Sequence, residues 1–278
     1  MLVPAVLLYT ILRIYPIVQG IYLSLFRWSG VSPQKEFIGL GNFATLFSDP
    51  QFYLAFKNTL ILAAVCVISQ LLIGFALAWI SFRRSKTGRL FQSVVLVPYL
   101  TSLVIVGTIW TWILDPSMGV LNNLLGLLSL SSLKQAWLGN PVTALLSILL
   151  VMNWQGFGLY VIFFVVGLQT VPKFLYDSAK VDGLSDFQTI RCVILPMLKE
   201  VIVVGFILII TSSFKTFELI YVMTGGGPAY STEVLASYLY RSAFEMLKAG
   251  YGGAIANVML VVALIITFTY IKAVRAKE

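Results

Sequence analysis

The sequence predicts an all-α, polytopic transmembrane bundle of six spans, on three observations. Hydrophobic residues fill 59% of the 278 positions and charged residues only 11%, against about 25% charged in an ordinary soluble domain. Six separate stretches stay apolar for the roughly 20 residues that a helix needs to cross a bilayer. Basic residues gather in loops that six crossings would place on one side. A soluble fold has nowhere to hide this much apolar surface, so a water-soluble enzyme is excluded.

The predicted spans are residues 2–26, 59–82, 90–114, 142–168, 200–222 and 252–274. The first contains Pro4, Arg13 and Pro16; bundles tolerate such prolines because neighbouring helices re-satisfy the freed backbone. It has no basic region ahead and no cleavage site behind, so it reads as an anchor, not a signal peptide. Its abrupt start at Met1 leads us to expect a short basic leader upstream. Segment 37–58 mixes aromatics, glycines and an Asp-Pro break, which predicts short structured pieces on the membrane surface. The 83–89 loop, RRSKTGR, carries Arg83, Arg84, Lys86 and Arg89 and no acid, and the tail carries Lys272, Arg275 and Lys277. Six crossings put both, the 169–199 loop and both termini on the cytoplasmic side. Loops 27–58, 115–141 and 223–251 then face outward. Residues 225–228, GGGP, predict a tight turn. Trp110, Trp112, Tyr221, Tyr238 and Tyr240 are expected as interfacial anchors.

The net charge of +8 follows from this topology and gives no reason to invoke nucleic acid. The chain has no His, which removes the commonest metal ligand and general base. Cys66 lies in an apolar run and Cys192 in a polar loop, so neither a disulfide nor a metal cluster is expected.

Residues 172–196, PKFLYDSAKVDGLSDFQTIRCVILP, are too long and too polar for a simple turn. Pro172 suits the opening of a helix. Tyr176, Ala179 and Lys180 then share one face. Gly183 permits a sharp stop, Ser185 suits a cap for a second helix, and Pro196 ends the loop. The predicted helix-turn-helix suits docking into a groove on a partner, with Ala179 and Gly183 small enough for close backbone approach. Asp182 and Asp186 read equally well as solvating groups.

Asp177, Ser178, Ala179, Gly183, Val193, Leu195 and Pro196 stand at the spacing Glu-Ala-Ala, three residues, Gly, nine residues, Ile, any residue, Leu-Pro. This loop resembles the EAA loop of permease subunits from binding-protein-dependent ABC importers, with Asp for Glu, Ser for the first Ala and Val for Ile. FIGLGNFATLFSD (37–49), LVPYLTSLVIVGTIWTWILDPSMGVLN (96–122) and FKTFELIYVMTGGGPAYSTEVLASYLYRSAF (214–244) are similar to segments of the carbohydrate branch, in its MalF-like type. The resemblance implies the type I importer permease fold and a multi-pass protein of the inner membrane. It implies a second, MalG-like permease, a dimeric cytoplasmic ATPase, an extracytoplasmic solute-binding protein and a sugar substrate. It also implies a docking set of Tyr176, Asp177, Ser178, Ala179, Lys180, Asp182, Gly183, Leu195 and Pro196. The chain has no G-x-x-x-x-G-K-[ST] phosphate loop. It is therefore expected to bind no cofactor and to catalyse nothing, with ATP and Mg held by the partner ATPase.

Polar residues inside spans are costly and mark a function or a partner. Asn153, Gln155 and Tyr160 interrupt the fourth span beside Gly156 and Gly158, and Ser212, Ser213, Lys215, Thr216 and Glu218 cluster in the fifth. A sugar is held by hydrogen bonds to its hydroxyls and by aromatic faces, and the resemblance places the translocation cavity between these two spans. The expected substrate path is Asn153, Gln155, Gly156, Tyr160, Ser213 and Thr216. Lys215 and Glu218 are read as a structural ion pair at i, i+3. The plainer alternatives are hydroxyls bonded to their own backbone and glycines that only allow tight packing. Two other readings stand beside the sugar: the same machinery importing a polyol or glycerol phosphate, and a secondary transporter driven by an ion gradient, which Lys215 and Glu218 would serve.

Overall fold

The computed structural model describes residues 3–275. Met1 and Lys277 lie outside the described residues, as do the side chains of Lys86 and Arg275. Helix α1, Val3–Leu23, is long and apolar enough to cross a membrane, and none of it is buried within the chain. It contains a π-helical turn at Thr10–Ile14, next to Pro16, whose missing N–H and ring crowd the preceding turn. Strands β1 (Phe26–Arg27) and β2 (Glu36–Phe37) pair antiparallel, with Phe26 opposite Phe37. The short helix α2, Gly41–Ser48, leads into α3, Pro50–Phe82.

The start of α3 corrects the predicted second span. The helix begins at Pro50 instead of 59, so residues 50–58 are its first turns and not a surface piece. Asp49 caps it, its carboxylate accepting from the Gln51 amide at 2.9 Å, with Pro50 at the first helical position. The Asp-Pro pair is thus a start signal and not a break.

The third predicted span is two helices, α4 (Ser85–Leu100) and α5 (Leu103–Ile113), meeting at 92°. Pro98 lies in the last turn of α4, where it withholds one backbone donor. Helix α6 is Val120–Leu127. Helix α7, Pro141–Thr170, is opened by an Asn140 cap and is the most buried of the long helices. Next come α8 (Lys173–Val181) and α9 (Asp186–Met197), and α10 (Lys199–Phe214), bent 73° from α9. The predicted fifth span, 200–222, stops at Phe214, and α11 (Glu218–Met223) is a separate short helix. Helices α12 (Leu235–Tyr240) and α13 (Ala249–Arg275) complete the bundle.

The core forms where α7 packs on α3 and α4, around Leu62, Val151, Val161, Phe164 and Leu168. A second cluster joins α3, α10, α12 and α13 through Phe52, Ile210, Phe214, Leu235 and Ile255. In lipid, such contacts depend on close van der Waals fit and not on exclusion of water. Gly158 shows how close the fit is: a Cβ there would sit 2.2 Å from the Val95 carbonyl oxygen of α4. Gly158→Ala is therefore expected to force α4 and α7 apart at a cost of about 1–3 kcal/mol, measured as a lower thermal midpoint in detergent.

The predicted 83–89 loop is only the Arg83–Arg84 break between α3 and α4, with residues 85–89 in the first turns of α4. It meets the 172–196 hairpin at one end of the bundle, where Arg83 pairs with Asp186. At the opposite end, Asn58 donates to the carbonyls of Ser231 and Glu233. One of the expected interfacial aromatics lies inside instead: Tyr238 is buried and donates to Asp49. Trp110 is half-buried and packs edge-to-face on Trp154 with ring centroids 5.5 Å apart. Trp112 is exposed, and Tyr221 and Tyr240 stack around Phe217.

Candidate functional site

Where α4 breaks into α5, a cavity of about 750 Å³ opens against α3, α7, α10 and α11. Four of the expected path residues line it: Gln155, Gly156, Tyr160 and Thr216. Gln155 Nε2 donates to the Tyr99 carbonyl at 3.3 Å, across the gap between α7 and α4. Gly156 leaves room for Gln70 of α3; a Cβ at 156 would lie 2.6 Å from Gln70 Nε2. The Thr216 hydroxyl donates to the Ser212 carbonyl at 3.0 Å. Ser212 and Thr211 likewise donate to the backbone one turn earlier. Their hydrogens are thus used within the helix, and their oxygen lone pairs remain as acceptors.

Two expected path residues are elsewhere. Ser213 is buried and absent from the cavity wall, and its Oγ has no hydrogen-bond partner among the described residues. One residue is about 100° of helix, which turns Ser213 inward and brings Ser212 to the cavity. Asn153 is a helix-to-helix clasp: it donates to the Leu149 carbonyl at 2.7 Å and accepts from Ser69 of α3. The predicted Lys215–Glu218 ion pair does not form. Lys215 caps the C-terminus of α10, Glu218 begins α11, and both are exposed at the cavity. The i, i+3 rule needs one continuous helix, and the chain breaks between them.

The cavity also takes Gln70, Tyr99, Thr101 and Thr211, which the sequence reading left out, and Ser212, which it named in the fifth-span cluster but not in the expected path. Gln70 interrupts the apolar run 59–82 and meets the same criterion that selects Asn153. Tyr99 and Thr101 follow Pro98, the one sequence sign of the break.

The hairpin forms as predicted in outline. Gly183 adopts a left-handed backbone, with φ +71°, and Ser185 and Gln188 form a capping box at the start of α9. Its faces differ from expectation. Ala179 is buried and Tyr176 half-buried, both turned towards the chain's own spans. The close approach that Ala179 allows is thus internal. Asp177, Ser178, Lys180, Asp182, Gly183 and Pro196 are exposed and Leu195 is half-buried. Phe174, Val181 and Phe187 are 64%, 87% and 70% exposed, an apolar set unusual for a solvated loop.

At the opposite end, the buried Glu233 and the half-buried Asp49 anchor the segment that contains the GGGP turn. Gly225 and Gly226 both take the left-handed backbone there. Glu233 and Arg241 approach to 2.6 Å, and Arg241 also donates to Gln51 at 2.8 Å beneath the Tyr230 ring. Burial raises the Glu233 carboxyl to about 7; Arg241 opposes the shift, while Glu245 and Asp49 add to it. The ion contact lacks hydrogen-bond geometry, so burial outweighs it. Burial also acts to raise Asp49, but hydrogen bonds from Tyr238, Tyr251 and the Gln51 and Phe52 amides outweigh it and hold the carboxyl below its usual value. For Glu233 the folded value lies above the ordinary 4.5. Its contribution to stability is therefore present below that value and is lost as pH rises towards 7. Glu233→Gln should flatten this component of the thermal midpoint between pH 5 and 8.

The profile of one family, binding-protein-dependent transport system inner membrane components, matches residues 70–276. The chain belongs to this family. It is a permease subunit of an ABC importer, a class whose permeases are not themselves enzymes. A probable ABC transporter permease, YurN, of Bacillus subtilis (strain 168) is 36% identical over 98% of this chain and 93% of its own. The trehalose/maltose transport system permease MalF of Thermococcus litoralis (strain ATCC 51850 / DSM 5473 / JCM 8560 / NS-C) is 30% identical over 100% of this chain and 93% of its own. A chain of the bacterial alginate ABC transporter, solved in complex with an alginate pentasaccharide-bound periplasmic protein, superposes with a TM-score of 0.85 at 26% identity, covering 97% of this chain and 90% of that one. Membership of the permease family sets this integral membrane protein apart from ion-gradient-driven transporters.

Proposed function

We propose that this permease passes a carbohydrate through the cavity at the α4–α5 break. The observation that carries the reading is the cavity wall: two amide side chains, three hydroxyl-bearing turns and two tyrosines, contributed by separate helices. That set matches a polyhydroxylated cargo, which needs many hydrogen bonds and an apolar ring face. Lys215 and Glu218 place one positive and one negative charge at the same cavity, so an uncharged sugar suits it better than a glycerol phosphate. The trehalose/maltose permease and the transporter of alginate, an acidic polysaccharide, support a carbohydrate cargo without deciding its charge.

In this reading a second permease completes the path, and a solute-binding protein delivers sugar at the end where Glu233 and Arg241 lie. A dimeric ATPase, holding ATP and Mg, receives the 172–196 hairpin, whose exposed Phe174, Val181 and Phe187 suit an apolar groove. The basic loop beside the hairpin supports a cytoplasmic position for that end and for both termini, in a protein of the inner membrane.

The test is uptake into proteoliposomes holding this chain and its co-purifying subunits, with the binding protein and a labelled sugar panel. Uptake with internal ATP and none with a proton gradient supports the reading; the reverse overturns it. Gln155→Ala and Gln70→Ala should each lower uptake about fivefold, the value of one hydrogen bond near 1 kcal/mol. Ser213→Ala should leave uptake unchanged, because Ser213 is not part of the cavity wall.

A further inference from the structure

The hairpin is fastened to two different spans, by different chemistry on each arm. On the first arm, the Tyr176 hydroxyl donates to the Leu168 carbonyl of α7 at 3.1 Å. The Tyr176 ring packs on Phe82 of α3 with centroids 6.1 Å apart. On the second arm, Asp186, the first residue of α9, forms an ion pair with Arg83. Arg83 is the C-terminal cap residue of α3, and its guanidinium lies 5.4 Å from the centre of the Trp79 ring. Between these fastenings runs a cavity of about 660 Å³, lined by Trp79, Phe82, Leu168 and Tyr176 among others. The first arm is therefore fastened to both α7 and α3, and the ion pair ties the second arm to α3.

We infer that Arg83 and Asp186 are positioning residues for coupling: their ion pair passes the movement of the docked hairpin to α3 as well as α7. The inference rests on the docking role proposed above. An ion pair as exposed as this one adds little to stability, so its effect lies in holding α9 at one angle to α3. The Trp79 ring restricts the rotamers of Arg83, and the capping box at Ser185 fixes Asp186 at the first turn of α9. Arg83, read from the sequence as one of several charges that set topology, therefore has a second task that Arg84 and Arg89 do not share among the described contacts.

The test uses the whole importer in proteoliposomes, comparing wild type with Arg83→Asp, Asp186→Arg and the double exchange. The readout is sugar taken up per ATP hydrolysed, with the amount of co-purified ATPase measured alongside. Each single variant should retain the ATPase and lower the uptake ratio about threefold, in line with an exposed pair. The double exchange should return the ratio to within about 1.5-fold of wild type. Single variants with the wild-type ratio, or a double exchange no better than the singles, would overturn the inference. Failure of the docking role is seen separately: ATP-driven uptake would then survive deletion of residues 177–183.

Discussion

Arg241→Ala should be among the most damaging single substitutions in this chain. It leaves the Glu233 side chain 4% exposed with no cation beside it. Breaking a buried pair from one side costs about 3–5 kcal/mol, a large share of the stability of a typical domain. Gln51 loses its donor in the same step, and the Tyr230 ring loses the cation beneath it. The segment carrying the GGGP turn then keeps its hydrogen bonds to α3 through Asn58, through Thr59, which accepts from the Leu235 amide, and through Tyr238 to the Asp49 cap. The expected result is a sharp fall in the thermal midpoint of the purified complex, or loss of the chain from the membrane. Neutralising both ends, Glu233→Gln with Arg241→Met, should recover much of that loss, because no unpaired charge remains. Glu233, already raised to about 7, can take up a proton when the cation is lost, so the fall should be steeper at pH 8 than at pH 6. A wild-type midpoint at both would overturn the role of the pair.

Deleting residues 177–183 should abolish ATP-driven uptake while the spans remain intact. The deletion removes the second half of α8 and the Gly183 turn, and leaves Tyr176 at the end of a truncated first arm. Bringing the remaining ends together would also carry Phe174 and Phe187 away from their present separation. The purified chain should still bind its second permease, yet lose the ATPase in pull-down. Smaller changes on the exposed face should act in the same direction. Phe174→Ala or Phe187→Ala should each weaken ATPase retention by about 1–2 kcal/mol, as expected of apolar anchors at an interface. Unchanged transport after the deletion would remove the docking role altogether.

The sequence carries the architecture because apolar run length and Lys/Arg placement respond directly to the bilayer. The hairpin was legible for a similar reason: Pro172, Gly183 and Ser185 act locally on the backbone. What it does not carry is direction. Apolarity says that 90–114 belongs in lipid, but not that the chain turns through 92° inside it. Helical phase is lost in the same way, so Ser213 and Ser212 exchange places relative to the cavity. Lys215 and Glu218 pair only on paper, because the helix that would align them ends at Phe214. Ala179 and Tyr176 lie on one face as expected, but that face belongs to the chain's own interior. Asp49 reads as part of a break and proves to be a junction, since its partners Tyr238 and Tyr251 are about 190 to 200 residues away.

That junction gives α3 a fulcrum. Asp49 holds the first turn of α3, Tyr238 of α12 and Tyr251 at the start of α13 in one half-buried knot. From there α3 extends as a rod of 33 residues, about 50 Å long at 1.5 Å per residue. A rod pinned at one end turns a small rotation into a large stroke at the other. A tilt of about 5° about Asp49 sweeps the Phe82 end through about 4 Å, close to the width of one methionine side chain, while the pinned end stays nearly still. The stroke is greatest beside Arg83.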